Sequence, residues 1–554
     1  MQPAVQTRAF GPIPLILGVT GHRDLPDDVG PLEDAVRKIL VEFQTRHPWS
    51  KIVLLSSLAE GADRLVARLA LELGISLVVP LPLQQSDYET DFETPVSVAE
   101  FRSLLERADA AFVVPPAPRA ANGDASRDAR SVAYANCGAY LVRKSIEIVA
   151  LWDGVSNPVR GTAEVVAFQL EGVPAPYVAD GKELDLSAVG PVKHVETPRG
   201  AEAGDSRIDE PGPRTIYPSV LADGKGAKAF EKAKADIDRF NRDVVESAAR
   251  GGEPRSVRES ADAVAAKYRS RTTRALTSIF ALVFLSVVGF NVYGNMASHP
   301  LWVLSAYLTS IALAFAAYYF SKRGDWQNRY QDCRALAETL RVAHYWRMAG
   351  IDEPVADVFA ENHRAEIDWL PFAIRTVTEP LVAEEPPPAA DDEIARLRRI
   401  YEEWIVHEYR YFTAFAGRRE RRRSEASARI VSVALLLSIV VTISMRLLPS
   451  LGVSQNLDRL ALLTATVLAL VAALLSSYAE KRGWAEHVRR YEMMAVLFRR
   501  ARERVAAALE RDELGAQTVA RIREILRTLG EESIREGATW LSLHRSRPID
   551  VPQA

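Results

Sequence analysis

Three short stretches in the first third of the chain carry residues suited to holding an anion. They are Thr20-Gly21-His22-Arg23, Glu60-Gly61-Ala62-Asp63, and Asp153-Gly154 leading on to Arg160-Gly161-Thr162-Ala163-Glu164. Small residues let backbone amides approach a phosphate closely, and a helix N-terminus adds partial positive charge. Arg23 and Arg160 add cations for charge-assisted hydrogen bonds to phosphate oxygens. Taken singly, a glycine at a strand–helix turn is plain backbone geometry. Three such turns mark a ligand site only if one edge of one sheet collects them.

The surrounding pattern predicts such a sheet. Residues 13–19, 52–56, 77–80, 111–114 and 146–152 are short apolar runs that read as strands. Between them, 31–44, 62–73, 96–107, 131–143 and 162–170 read as helices; the first places Leu32, Val36, Ile39, Leu40 and Phe43 on one face. Strands alternating with helices predict an α/β Rossmann-like domain over residues 1–200, with ligands bound beyond the C-terminal strand ends. Each of the three stretches follows a predicted strand. His47 and His194 read as surface or turn residues. Asp87, Glu89, Asp91 and Glu93 read as a solvated acidic loop, with a divalent-metal site as the alternative. Residues 201–228 read as linker, and 192–195 as one added edge strand.

The second half has a different character. Residues 275–321 contain no Asp, Glu, Lys or Arg and divide at Ser298-His299-Pro300. Each half is about twenty residues, enough at about 1.5 Å rise per residue to cross a bilayer core. Four transmembrane helices are expected, at about 275–296, 301–321, 429–448 and 459–479, arranged as two hairpins. Lys267, Arg269, Arg271 and Arg274 precede the first pair, and Lys322 and Arg323 follow it. Arg418, Arg419, Arg421, Arg422 and Arg423 precede the second pair. Basic residues at the outer ends of each pair place those ends in the cytoplasm. The chain thus reads as an inner-membrane, multi-pass protein with all-α membrane domains, cytoplasmic helices and both termini inside. Arg446 falls near the outer end of the third run, where it can snorkel. Ser286, Ser305, Thr309, Ser438, Thr442 and Thr466 are able to bond helix backbones or to line a pore.

Composition narrows the remaining classes. A net charge of −3 over 554 residues gives no electrostatic footprint for nucleic acid. Cys137 and Cys333, the only cysteines, form neither a disulfide framework nor a zinc spacing. The first residues lack the pattern of a signal peptide. No cofactor or metal is expected.

The helical half also repeats itself. Trp326, Tyr330, Cys333, Ala337 and Leu340 are matched in spacing by Trp484, Val488, Tyr491, Ala495 and Phe498. Lys322-Arg323-Gly324 precedes the first set and Lys481-Arg482-Gly483 the second; Asp368-Trp369-Leu370 is echoed by Thr539-Trp540-Leu541. This predicts two related units, 229–380 and 392–554, joined by a proline-rich hinge at 381–391. Packing between helices is the expected task of these aromatics, with a ligand cage as the alternative. A helix is expected over 227–249. Another over 391–423 should carry Leu397, Ile400, Tyr401, Trp404, His407 and Tyr411 on one side.

On Thr20-Gly21-His22-Arg23, Glu60-Gly61-Ala62-Asp63 and Gly161-Thr162, the first 200 residues resemble the SLOG superfamily. The resemblance implies a nucleotide-derived ligand, ADP-ribose-like or a cyclic nucleotide, with phosphates at these turns. The Lonely Guy enzymes of that superfamily carry a Pro-Gly-Gly-x-Gly-Thr-x-x-Glu turn. This chain has Gly161-Thr162-Ala163-Glu164 without the Pro-Gly-Gly lead, so binding is implied ahead of hydrolysis. A membrane-tethered hydrolase would use Glu164 and Arg23; a passive scaffold would use neither. The two helical units resemble SLATT domains, on the basic leading segment, the hairpin, and a helix with Trp326, Arg334, Glu338 and Arg341, and again Trp484 and Arg499. That resemblance implies an oligomeric pore or membrane-disrupting effector in antiviral defence. Ligand binding would then shift the packing of helices 326–343 and 484–500.

Overall fold

The computed structural model describes residues 9–116, 129–155, 161–175, 177–178, 189–199, 212–250, 256–295, 300–362, 368–379, 381, 393–447, 455–510 and 515–545. By backbone contacts it divides into two compact units. One comprises Met1–Ser260 with Pro354–Pro387, the other Ala261–Glu353 with Pro388–Ala554.

The first unit is built on strands β1 (Leu15–Gly21), β2 (Ile52–Leu55), β3 (Ser76–Leu81), β4 (Ala110–Val113), β5 (Glu147–Trp152), β6 (Val192–Glu196) and β7 (Arg214–Ile216). Its helices are α1 (Gly30–Arg46), α2 (Ala62–Glu72), α3 (Gln85–Tyr88), α4 (Pro95–Glu106), α5 (Ala129–Lys144), α6 (Thr162–Glu171) and α7 (Gly224–Ala248). The sheet order is β4-β3-β2-β1-β5-β6-β7, parallel except for β7. The chain moves outward from β1 to β4, then returns to lay β5 on the other side of β1. Ile16, Val53, Leu55, Ile148 and Ala150 form one core with Leu141 of α5 and Val166 of α6. The alternate residues Leu15, Leu17, Leu54, Leu77 and Leu151 are fully buried in the opposite direction, as a sheet covered on both faces requires.

Two expectations fail here. Residues 192–196 are no edge: β6 lies between β5 and β7, and the antiparallel β7 closes the sheet from within the expected linker. His47 and His194 are both buried. His47 lies edge-on to Phe43, and burial, with Lys234 nearby, lowers it to about 4. His194 packs on Trp152, with Nε2 2.9 Å from the Trp152 carbonyl.

The helix α7 accounts for the burial of His47. Phe230, Ala233, Ile237 and Phe240 form its apolar stripe, and Asp223 caps its first turn through Gly226 N–H. Buried Lys234 pairs with fully buried Glu147 and with Glu231. Asn241 accepts from Ile13 N–H at 3.1 Å and donates to the Ile13 carbonyl and to Ser50 Oγ. Two further helices, reached only after residue 353, complete this unit. Arg143 and Arg375 bond Asp357, Lys144 bonds Glu379, and Trp369 packs on Phe240.

The second unit takes its helices from two parts of the chain. The dividing point falls within α8 (Val257–Asn295), which is followed by α9 (Leu301–Arg323) and α10 (Trp326–Ala349). The short α11 (Val355–Asn362) and α12 (Leu370–Thr378) are the two that belong with the sheet. The second unit resumes with α13 (Glu393–Ile400), a π-helical turn Tyr401–Val406, α14 (His407–Arg410), a second π turn Tyr411–Phe415, and α15 (Ala416–Leu447). It ends with α16 (Gln455–Lys481), α17 (Trp484–Leu509) and α18 (Ala516–Arg545).

Helices α8, α9, α15 and α16 contain the four stretches long and apolar enough to cross a membrane, of which only between 6% and 28% is buried. Leu435, Leu436 and Leu437 are exposed in succession, so their helix is apolar all round. Their hydroxyl groups turn to the backbone: Ser286, Ser305, Thr442 and Thr466 bond carbonyls one turn earlier. Ser438 of α15 bonds the Ala465 carbonyl of α16. Phe280 and Thr277 of α8 meet Tyr478 of α16, so the two copies of the repeat touch each other.

The repeat is exact only in part. In both copies a residue in the left-handed region, Asp325 (φ 52°) or Gly483 (φ 62°), directly precedes the tryptophan that opens the next helix. The copies therefore align on these residues, and Gly324 is not the counterpart of Gly483. Beyond them they diverge. Pro354 and Pro371 interrupt the first copy, whereas α18 runs unbroken, so Trp369 opens a short helix while Trp540 sits inside a long one. The π turns correct the face expected for the preceding helix. Leu397, Ile400 and Trp404 are buried with Ile405 and Glu408, but His407 is exposed, because a π turn advances the face.

The Asn241 contacts generate a test. Asn241→Ala leaves buried Ile13 amide and carbonyl groups unsatisfied, which costs about 2–4 kcal/mol. Hydrogen exchange in β1 should lose protection of that size; unchanged protection would contradict the role assigned to α7.

Candidate functional site

The order in which strands are added reverses between the parallel neighbours β1 and β5, and crevices at such points receive ligands in open α/β sheets. The loops that leave β1, β2 and β5 meet there. His22 N–H donates to the Leu151 carbonyl at 3.0 Å, tying the β1 loop to β5. Ala62 N–H donates to the His22 carbonyl at 3.0 Å, tying it to the start of α2. Gly21 and Gly61 are required by this closeness. A Cβ on Gly21 would lie 2.3 Å from Ala62 Cβ. One on Gly61, at φ 79°, would lie 2.3 Å from the Arg23 carbonyl oxygen.

His22 and Asp153 form the polar junction between β1 and β5. His22 Nε2 accepts from Asp153 N–H at 3.0 Å and lies 3.3 Å from Asp153 Oδ2. Burial lowers the His22 pKa and outweighs the nearby carboxylate, which keeps the ring neutral and able to accept. Burial alone would raise Asp153, but the Val155 amide and Arg199 hold it below the usual range. Gly154 and Gly161, both at φ 79°, follow in the β5 loop. No described residue lies within 4 Å of the Cβ position at Gly161. Gly161 caps α6, whose first turn carries Thr162 and Glu164. Arg160 lies outside the described residues.

Arg23 stands exposed at the rim with its guanidinium over the Tyr134 ring, 5.7 Å from the centroid. Behind it, Asp63 is buried and its carboxyl is pushed up to about 7 by desolvation, against the Ala59 amide, Ser57, Arg23 and Arg64. Buried Arg64 bonds the Leu58 carbonyl and Ser97, and Leu58 adopts φ 55°, rare for a leucine. Cys137 is buried beside this group and pushed up to about 12 by desolvation. The Tyr88 hydroxyl is buried with no hydrogen-bond partner among the described residues.

These contacts assign different tasks to the residues singled out from the sequence. Gly21, His22, Arg23, Asp153, Gly154 and Gly161 surround the switch point, with buried Thr20 beneath them in β1. Glu60 turns away, accepting from Ser97 Oγ and Glu93 N–H at the start of α4. The first amide of α2 is already taken by His22, and Asp63 is enclosed. The Glu60–Asp63 turn thus braces the site from behind. Tyr134 and Arg199 are additions that spacing does not reveal, because each arrives from a distant element, whereas Arg64 directly follows Asp63 in α2. The acidic loop is ion-paired: Glu89 with Arg102, and Asp91 with Arg130 and Tyr134. Among the described residues no group of three or more His, Cys, Asp or Glu side chains is placed to hold a metal.

The Asp63 carboxyl sets a pH dependence. Its folded pKa lies above the unfolded value, so its contribution to stability is complete below about pH 4 and is lost as pH rises through about 7. Melting temperature followed from pH 5 to 8 should fall more steeply for the native chain than for Asp63→Asn. Parallel profiles would contradict this. Compared with known protein families, characterised proteins and solved structures, the chain matches none.

Proposed function

We propose that this chain is a membrane-embedded receptor whose α/β unit binds a phosphate-bearing, nucleotide-derived ligand at the β1/β5 switch point. The observation that carries the reading is the convergence of Gly21, Arg23, Asp153, Gly154 and Gly161 on that one edge. Backbone freed of side chains there can approach a phosphate, the α6 N-terminus contributes partial positive charge, and Arg23 supplies a full cation. The Tyr134 ring lies beneath the Arg23 guanidinium.

In this reading the ligand is ADP-ribose-like or a cyclic nucleotide, and the fold is of SLOG type with two SLATT-type helical units. The four apolar helices lie in the cell inner membrane as two hairpins, with basic flanks and both termini in the cytoplasm. Copies of the chain associate there into a pore or lesion that the ligand controls, a design suited to antiviral defence. Control requires the ligand to bind the active arrangement more tightly than the resting one.

The full chain in detergent micelles, titrated with these nucleotides, should show a rise in melting temperature. Arg23→Ala should weaken binding about tenfold or more, the scale of a lost charged hydrogen bond. Vesicles carrying the protein should release trapped dye only with the ligand. No melting shift with any nucleotide, or an equal shift in Arg23→Ala, would reject the site. Release independent of ligand would reject the control.

A further inference from the structure

The helical unit holds a cavity of about 170 Å³, remote in sequence from the sheet-edge residues. It is walled by α8, α10, the π turns, α17 and α18. One end reaches Thr272, Thr273 and Leu276, where α8 turns apolar, and Lys481 and Arg482, where α16 ends. The cavity thus lies at the depth of the headgroup layer when those helices span a bilayer.

Its walls are polar in an unusual way. Six cationic side chains face four carboxylates, an excess of two positive charges. Arg334 and Arg341 pair with Glu338, and Arg490 with Glu536. Arg269 and Arg482 have no carboxylate partner among the described residues. The Arg334 side chain lies deep in the unit yet is 36% accessible, because it opens onto the cavity. Arg482 Nε, Trp484 Nε1, Thr272 Oγ1 and Gln331 Oε1 are buried polar atoms on the lining with no hydrogen-bond partner among the described residues. Gln331 is only 2% exposed. Leaving such groups unmade costs about 1–3 kcal/mol each, so an occupant that meets them is favoured.

The needs of these atoms describe that occupant. Arg482 Nε and Trp484 Nε1 are donors and call for acceptor oxygens. The Gln331 carbonyl calls for a donor. The surplus charge calls for an anion. The volume is close to the roughly 150 Å³ that holds a single benzene ring, which suits a compact group and excludes a whole nucleotide. We infer that the cavity is a binding site for a phosphate ester that also carries a hydroxyl or ammonium donor. The same chemistry is offered by a soluble phosphate ester and by the headgroup of a phospholipid.

The test uses the full chain in detergent micelles, with glycerol phosphate in one arm and added anionic phospholipid in the other. Trp484→Phe removes one donor and keeps the ring; Arg482→Gln removes the charge and keeps the length. The matching probe at ten times its Kd should raise the native melting midpoint by about 3 °C. Both variants should lose most of that rise, whereas Arg23→Ala should keep it, separating this site from the sheet edge. A response to glycerol phosphate alone assigns the soluble source. A response to phospholipid alone, with one lipid retained per chain in native mass spectrometry, assigns the headgroup. Should either variant fail to fold, the other carries the test. No rise in either arm, or an equal rise in the variants, would overturn the proposal and leave a cavity holding water only.

Discussion

Water will not cover the outer surfaces of α8, α9, α15 and α16. Burying apolar surface is worth about 25 cal/mol per Å², and these helices leave whole turns of Leu, Ile, Val and Phe uncovered by protein. Leu301, Trp302, Phe315 and Phe320 on α9 are all more than half exposed, as are Ile430, Leu436 and Ile443 on α15. A helix can afford this in lipid, since its backbone groups are satisfied internally. The remaining features of the helical unit follow. Basic side chains gather where the apolar stretches end. At those ends the backbone takes a left-handed residue, Asp325 or Gly483, and turns into a helix that packs in a polar setting. The ion pairs Arg334–Glu338, Arg341–Glu408 and Arg490–Glu536 all lie beyond those turns, where charge is tolerated.

The α/β unit solves a different problem. Its parallel strands must end somewhere, and three of them end at one crevice. The loops are drawn so close that glycine is the residue that fits at positions 21 and 61. Tightness has a chemical consequence. His22 is held neutral, Asp63 is held near its own midpoint at neutral pH, and Arg23 is an accessible cation at the rim. The crevice is therefore disposed to receive negative charge.

The sequence made the strands of the sheet and the apolar helices legible because each rests on a local pattern. Leu15–Gly21 and Glu147–Trp152 are short apolar runs between breakers, and residues 275–321 lack charge altogether. The glycine turns were legible for the same reason. What escaped depends on partners far away in the chain. Nothing near His47 announces that α7 will bury it, and nothing near Glu147 announces Lys234. The β-branched Thr215 and Ile216 were hidden in a segment rich in glycine and proline. The repeat was legible in the helices that Trp326 and Trp484 open, but its turns were matched one residue out of step, and it was carried too far, since Trp369 and Trp540 share a neighbour but no environment. The aromatic spacing of α10 and α17 does serve packing, through Cys333, Ala337, Leu340 and Phe498. Tyr330, Trp484 and Tyr491 line the cavity, and Phe498 does both, a distinction that periodicity cannot make.

The most direct measurement concerns the bilayer itself. Cys137 and Cys333 are both buried, so the background for a thiol reagent is low. Leu301→Cys and Gly515→Cys place single probes at the start of α9 and just before α18, on opposite sides of the membrane in this account. In intact cells a membrane-impermeant maleimide should label position 301 and spare 515; after lysis both should react. Labelling of 301 only after lysis, with the protein released from membranes by alkaline carbonate, would contradict the account.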